Sequence, residues 1–277
     1  MRIALAQLRS GIDPAENARL LTSLIAEAAA GGAKMVFTPE MSGLLDRDRS
    51  RAANVIRDET DDVVLSTIQA EARNAGIWVQ LGSLAVKTSD NRDEKWVNRS
   101  YLINPDGEIT ARYDKIHLFD VDLDPDESLR ESSAYAGGHN AIVAAIPGAM
   151  LGLSICYDLR FPALYEALTN AGADILSVPA AFTVPTGRAH WEILLRARAI
   201  EAGAFVIAAA QYGLHEDGRS TYGHSMVVDP WGEILLDMGE GIGLGFCDLD
   251  LGKVVEVRSR VPAVANRKRF EPPVKIT

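Results

Sequence analysis

Short apolar runs of strand length alternate with longer segments of helical periodicity from one end of the chain to the other. That alternation restricts the fold to an α/β architecture. Arg2 to Leu8 reads as the first strand, and Asp13-Pro14-Ala-Glu16 then supplies an N-cap, a proline at the first helical position and an acidic first turn. Ala18, Leu21, Leu24, Ile25 and Ala28 recur at helical intervals until Gly31-Gly32 ends the run. Lys34 to Thr38 follows as a short strand closing on Pro39-Glu40, which puts Glu40 at a sheet edge, where a solvated carboxylate is equally at home. Thr60-Asp-Asp62 caps a second helix running to Gly76, and Ile77 to Leu84 is the next strand. Trp96 to Asn104 and Glu108 to Asp114 flank the turn Asn104-Pro-Asp-Gly107, so they form a hairpin that ends at Lys115. From Ile116 to Gly138 the periodicity is lost among Asp120, Asp122, Asp124, Asp126, Glu127, Arg130 and Glu131, and the segment reads as a long irregular acidic loop.

The second half repeats the pattern around one unusual stretch, Leu151-Gly-Leu-Ser-Ile-Cys156-Tyr-Asp-Leu-Arg-Phe-Pro162. A buried strand delivers a cysteine at its end, Tyr157 to Arg160 is polar, and Pro162 suits the first turn of a helix running toward Gly172. Such an elbow can hold a nucleophile above a sheet with backbone N–H groups facing developing negative charge. Taken alone, the stretch fits a small buried hydrophobe just as well. Asp174 to Pro179 and Ala204 to Ala210 read as strands around a helix from Arg188 to Gly203. Gly223 to Val228 and Glu233 to Asp237 bracket the turn Asp229-Pro-Trp-Gly232, and Gly243 to Leu249 completes the strands. The tail, about 254–277, mixes charge with prolines and has little apolar periodicity, which suits a segment in subunit contact.

A chain of 277 residues with 47% hydrophobic content can bury a full core, and without a Pro/Ser-rich linker one domain over residues 1–277 is expected. A formal net charge of −10 argues against nucleic acid as a partner. It leaves open an anionic small substrate, which responds to local arginines. No apolar run is long enough to span a bilayer, so no membrane partner is expected, and Met1 to Leu8 lacks the pattern of a signal peptide. Cys156 and Cys247 stand far apart and make no disulfide framework, which points to a reducing, cytoplasmic compartment. There is no Gly-x-Ser-x-Gly elbow, phosphate-binding loop or dinucleotide fingerprint. His117, His139, His190, His215 and His224 show no metal-ligand spacing, so no metal is expected, although one of them could pair with Cys156.

Glu40 after Thr-Pro, Lys115 in Tyr113-Asp-Lys-Ile-His-Leu-Phe-Asp120 and Cys156 in its elbow together resemble the Glu-Lys-Cys triad of the nitrilase, or carbon–nitrogen hydrolase, superfamily. The resemblance extends through Thr186-Gly-Arg-Ala-His-Trp-Glu192, Arg196-Ala-Arg-Ala-Ile-Glu201 and Gly223-His-Ser-Met-Val-Val-Asp-Pro-Trp-Gly232, and so covers nearly the whole chain. Cys156-Tyr-Asp158 stands where nitrile hydrolases usually carry Cys-Trp-Glu, which favours the amidase branch that holds deaminated glutathione amidase and ω-amidase. Arg188 replaces a proline of the family pattern.

The resemblance implies a four-layer α-β-β-α sandwich of two mixed sheets flanked by helices; the alternation alone would also fit one doubly wound sheet. It implies Cys156 as nucleophile, Glu40 as base, Lys115 as the cation beside an oxyanion, the Tyr157 backbone N–H as second oxyanion donor, and Glu131 as a carboxylate orienting Lys115 or substrate. Arg160 and His190 are candidates for a substrate carboxylate, with Arg160 equally able to pair with Asp158. The expected substrate is a small keto-acid amide, deaminated glutathione or alternatively α-ketoglutaramate. No metal or organic cofactor is needed, and a homodimer or higher homo-oligomer is expected.

Overall fold

The structure, a computed structural model, describes residues 1–88, 95–124 and 127–276. In chain order the first half contains β1 (Arg2–Gln7), α1 (Pro14–Ala30), β2 (Met35–Phe37), α2 (Arg49–Ala53), α3 (Val63–Ala75), β3 (Trp78–Val86), β4 (Val97–Ile103), β5 (Ile109–Asp114), β6 (Asp120–Asp124) and β7 (Glu127–Arg130). The second half contains β8 (Val143–Ile146), β9 (Ala149–Leu153), α4 (Pro162–Asn170), β10 (Ile175–Ser177), α5 (Val184–Ala202), β11 (Phe205–Ala208), β12 (Tyr212–Leu214) and β13 (Ser220–Tyr222). It closes with β14 (Met226–Val228), β15 (Ile234–Asp237), β16 (Gly243–Asp248) and α6 (Gly252–Arg260).

Two six-stranded sheets form the centre, ordered β16-β1-β2-β3-β4-β5 and β15-β14-β11-β10-β9-β8. In each, two parallel pairings at the middle are bordered by antiparallel ones, so both sheets are mixed. The period-two alternation of β1 sorts its side chains between two layers. Ile3 and Leu5 join Met35, Phe37, Leu151 and Leu153 between the sheets, whereas Ala4 and Ala6 join Leu21, Ile25, Leu65 and Ile68 of α1 and α3 on the outer face. Trp191 and Leu195 of α5 and Leu164 and Leu168 of α4 are buried with the second sheet. Each large apolar side chain so buried stabilises by roughly 1.5–3 kcal/mol, so many contacts together hold the two sheets in register.

The helix ends follow their sequence signals. Asp13 accepts from the Ala15 and Glu16 amides, Asp62 caps α3 through the Leu65 amide, and Gly76 ends that helix in the left-handed region. Helix α2, β8 and the β12–β13 hairpin have no counterpart in the sequence reading, and three further segments depart from it. Helix α5 begins at Val184, a turn before Arg188, because Pro185 fits its first turn and Gly187 lets the helix lie against the Tyr222 ring. The segment 116–138 is not wholly irregular: β6 and β7 pair as a hairpin, and a 3-10 turn, Glu131–Ser133, follows them. Asp126 of that segment lies outside the described residues. The tail opens with α6, which buries Val254 and Val257, residues three apart and so on one helical face.

Candidate active site

The ends of β2, β5 and β9 converge, and each delivers one polar residue. Cys156 follows β9 and opens a 3-10 turn, Cys156–Arg160, that leads into α4. Its φ of +50° lies in the left-handed region, a conformation that costs a non-glycine residue of order 1–3 kcal/mol. The surroundings over-determine this backbone. The Cys156 N–H donates to the Pro179 carbonyl at 2.9 Å. Buried Asp158 accepts from the Ile155 amide at 2.9 Å, the His117 amide at 3.0 Å and the Tyr113 hydroxyl at 2.6 Å, with His117 Nδ1 at 2.7 Å. Asp158 is therefore the brace of the elbow, pinning it to β5 and the segment after it. From the other side, Ser154 Oγ donates to the Ser177 carbonyl and Arg198 Nε to the Leu159 carbonyl.

Glu40 is reached by a tight turn after β2. Met41, next in the chain, has φ +55° and donates its N–H to Ser83 Oγ at 2.9 Å. Gly82 of β3 lets this turn approach the strand, because a Cβ there would lie 2.0 Å from the Thr38 carbonyl oxygen. Gln211 donates to the Glu40 carbonyl at 3.0 Å, tying the turn to the end of β11.

The resulting cluster is buried and charged. Lys115 Nζ donates to Glu40 Oε1 at 2.8 Å and to Glu131 Oε1 and Oε2 at 3.1 and 2.9 Å. Glu40 Oε2 accepts from the Ala181 amide at 3.0 Å, and the Cys156 thiol adjoins the Glu40 carboxylate closely enough to feel its charge. Glu131 Oε2 also accepts from the Phe119 amide at 2.6 Å. Burial works against the Lys115 ammonium, but the charges of Glu131 and Glu40 outweigh it and hold the proton well above the usual lysine range. Burial, then the Glu40 charge, pushes the Cys156 thiol up against the opposing pull of Lys115. Such a thiol is protonated at neutral pH and needs a base to attack, and the adjoining carboxylate can serve.

Glu40, Lys115, Glu131 and Cys156 are thus brought together, with Tyr157 next in the chain. Aromatic rings surround the elbow: Tyr157 meets Phe119 and Phe161 edge-on with centroids 5.0 and 5.3 Å apart. Arg160, at the end of the 3-10 turn, lies over the Tyr157 and Phe182 rings and donates to His190 Nδ1 at 3.3 Å. Asp158 is fully engaged elsewhere, so the pairing of Arg160 with Asp158 is not made. Arg188 is exposed one turn along α5. Among the described residues no group of three or more His, Cys, Asp or Glu is arranged to hold a metal ion, and no helix is long and apolar enough to cross a membrane. A cleft of about 340 Å³ lined by Arg9, Ser10, Gly11, Leu214, His215 and Glu216 shares no residue with the cluster.

Sequence reasoning missed Asn98, Ser83 and Gln211, all buried and all bonded to the turn or its carboxylates. Val97-Asn-Arg-Ser-Tyr-Leu-Ile103 carries three polar residues in a row, so its pattern gives no signal that singles out Asn98.

A cysteine paired with a carboxylate and a lysine between two mixed sheets defines a class of hydrolase acting on carbon–nitrogen bonds other than peptide bonds. The chain belongs to the carbon–nitrogen hydrolase family, whose pattern matches residues 2–259, and its structural neighbours lie in the nitrilase superfamily. It is 38% identical to deaminated glutathione amidase of Bos taurus over 96% of this chain and 81% of the relative. It is 39% identical to the protein of that name from Yersinia enterocolitica, over 96% and 92%. Among solved structures, the C. elegans NitFhit protein superimposes with a TM-score of 0.89 at 38% identity, covering 96% of this chain and 65% of that longer one. A variant amidase from Nesterenkonia sp. AN1, with acrylamide added to its active-site cysteine, has a TM-score of 0.77 at 29% identity, covering 95% of this chain and 98% of its own.

Proposed function

We propose that the chain is a cysteine amidase that hydrolyses deaminated glutathione through a thioester on Cys156. The observation that carries this reading is a strained, buried Cys156 beside Glu40, whose Oε1 is bound to Lys115. Glu40 Oε2 takes the thiol proton as sulfur bonds to the amide carbon, and the carbonyl oxygen becomes an oxyanion stabilised by the Lys115 charge and the Tyr157 N–H. Collapse breaks the carbon–nitrogen bond, and Glu40 returns the proton to the departing amine. Water then attacks the thioester with Glu40 again as base, releasing the acid and the thiol. Glu131 holds Lys115 in place throughout. No metal or organic cofactor enters this chemistry.

Arg160, lying over the Tyr157 and Phe182 rings with His190 beside it, is a preorganised cation for a substrate carboxylate. Deaminated glutathione and α-ketoglutaramate present the same acyl side, so they differ at the leaving group: Cys-Gly in the first, ammonia in the second. Contacts to Cys-Gly, for which Arg188 and segment 116–138 are candidates, would orient the scissile amide and raise kcat as well as lower KM. Comparing kcat/KM for the two compounds under one condition tests this. A clear preference for deaminated glutathione is expected, and equality or the reverse favours ω-amidase activity. Two free cysteines suit a reducing, cytoplasmic setting. The exposed Phe270, Val274 and Ile276 of the tail suit contact with a second copy.

A further inference from the structure

Asn98 lies on β4, opposite Ala85 of β3, and is 1% exposed. Its amide nitrogen donates to two different carboxylates, at 2.9 Å to Glu40 Oε1 and 3.3 Å to Glu131 Oε1. Its main-chain carbonyl accepts the Lys115 N–H at 2.9 Å. One residue therefore touches all three charged members of the cluster. Its Oδ1 is buried with no hydrogen-bond partner among the described residues. An apolar side chain at this place in the strand would need no partner at all. Turning the amide over would aim its oxygen at two carboxylates, so the charges dictate its orientation.

The donors around Glu40 divide unequally between its two oxygens. Glu40 Oε1 receives two donors, Lys115 Nζ and Asn98 Nδ2, and both of its lone pairs are used. Among the described residues Oε2 accepts from the Ala181 amide alone, which leaves it a lone pair free to take a proton. We infer that Asn98 is a positioning residue that selects which oxygen of Glu40 serves as the base, by filling Oε1 and tying Glu40 to Glu131 around Lys115. The role rests on Glu40 acting as base toward Cys156. Without the Asn98 amide, Oε1 regains a lone pair, the carboxylate is free to turn, and both acids lose a donor that favours their ionised form.

The test is the rate of Cys156 alkylation by iodoacetamide as a function of pH, read by intact-mass spectrometry in a Cys247→Ser background. Sulfur bonds to the reagent carbon, iodide leaves, and the thiol proton passes to Glu40 and on to solvent, so no amide substrate is needed. The variants are Asn98→Leu and the isosteric Asn98→Asp, each with its melting temperature. For Asn98→Leu the acidic limb should move up by about one pH unit, with roughly tenfold slower alkylation on that limb.

An Asp at position 98 would face Glu40 after β2, Glu131 in the 3-10 turn, Lys115 after β5 and the Cys156 thiol, with the Tyr135 phenol, held neutral by burial, nearby. Next to two carboxylates it should keep a proton at low pH and donate one bond. Its rate should then fall as rising pH ionises it, where the parent rate does not. Variants that alkylate more slowly but keep the parent pH profile overturn the inference and leave Asn98 a purely structural residue. A parent protein that alkylates no faster than its Glu40→Gln variant overturns the base assignment, and the inference with it.

Discussion

Gly82→Ala should disable the enzyme without touching any residue that meets the substrate. A Cβ at this position would lie 2.0 Å from the Thr38 oxygen and 2.2 Å from the Pro39 oxygen. Both are backbone atoms, so no side chain can yield, and restoring ordinary contact requires about 1 Å of movement between β3 and the turn that carries Glu40. The Lys115 to Glu40 bond of 2.8 Å would lengthen to about 3.8 Å if the turn took up that shift, beyond hydrogen-bond range. A misplacement of that size costs about a hundredfold in rate. Overpacking should also lower stability by about 1–3 kcal/mol, or roughly 2–12 °C in melting temperature for a chain of this length. The assay is kcat on deaminated glutathione well below the melting transition. Gly252→Ala is the control, since a Cβ there meets only Asp250 Oδ1 at 3.2 Å. A Gly82→Ala protein with kcat within twofold of the parent would refute the claim that this close approach positions Glu40.

Glu40→Gln and Lys115→Met should each lower kcat at least about a hundredfold, and the double variant should lose little more, because the two residues serve one step; additive losses in a double-mutant cycle would contradict a shared step. His215 is held neutral, with Nδ1 donating to the Ser10 carbonyl and Nε2 accepting from Thr221, and burial lowers its proton affinity. The unfolded chain takes up that proton near pH 6.5 while the folded one resists, so stability should be full above about pH 6.5 and decline as pH falls below it. Melting curves from pH 7.5 to 5.5 check this, and His215→Gln should flatten the slope; an unchanged slope would assign the acid sensitivity to other groups.

The periodicity of α1, the caps at Asp13 and Asp62 and the 104–107 hairpin were legible because each is a local event, settled within a few residues. Pairing order was not, since strand alternation is indifferent to whether β9 to β11 join the sheet of β1 to β3 or form their own. Resemblance to the nitrilase superfamily supplied the second sheet. Likewise Glu40, Lys115, Glu131 and Cys156 were visible as motif residues, whereas their convergence depends on the ends of β2, β5 and β9 and the turn after β7, far apart in the chain. The supports were hidden for the same reason. Asp158 reads as part of an elbow, yet two of its partners, Tyr113 and His117, come from another sheet edge. Asn98 reads as an ordinary strand polar residue until Glu131 folds back over it. The start of α5 was obscured by Pro185 and Gly187, whose usual meaning as breakers is reversed by the first-turn position and by the Tyr222 ring.

The central claim is that Cys156 carries the acyl group during amide hydrolysis. Rapid acid quench of the protein mixed with deaminated glutathione, the proposed substrate, followed by intact-mass and peptide-mass measurement, reads it directly. An added mass equal to the keto-acyl group is expected, mapped to Cys156, formed at a rate at least equal to kcat and missing from a folded but inactive Cys156→Ala variant. Turnover by Cys156→Ala above a few per cent of the parent, about the level at which a nucleophile is dispensable, would contradict it.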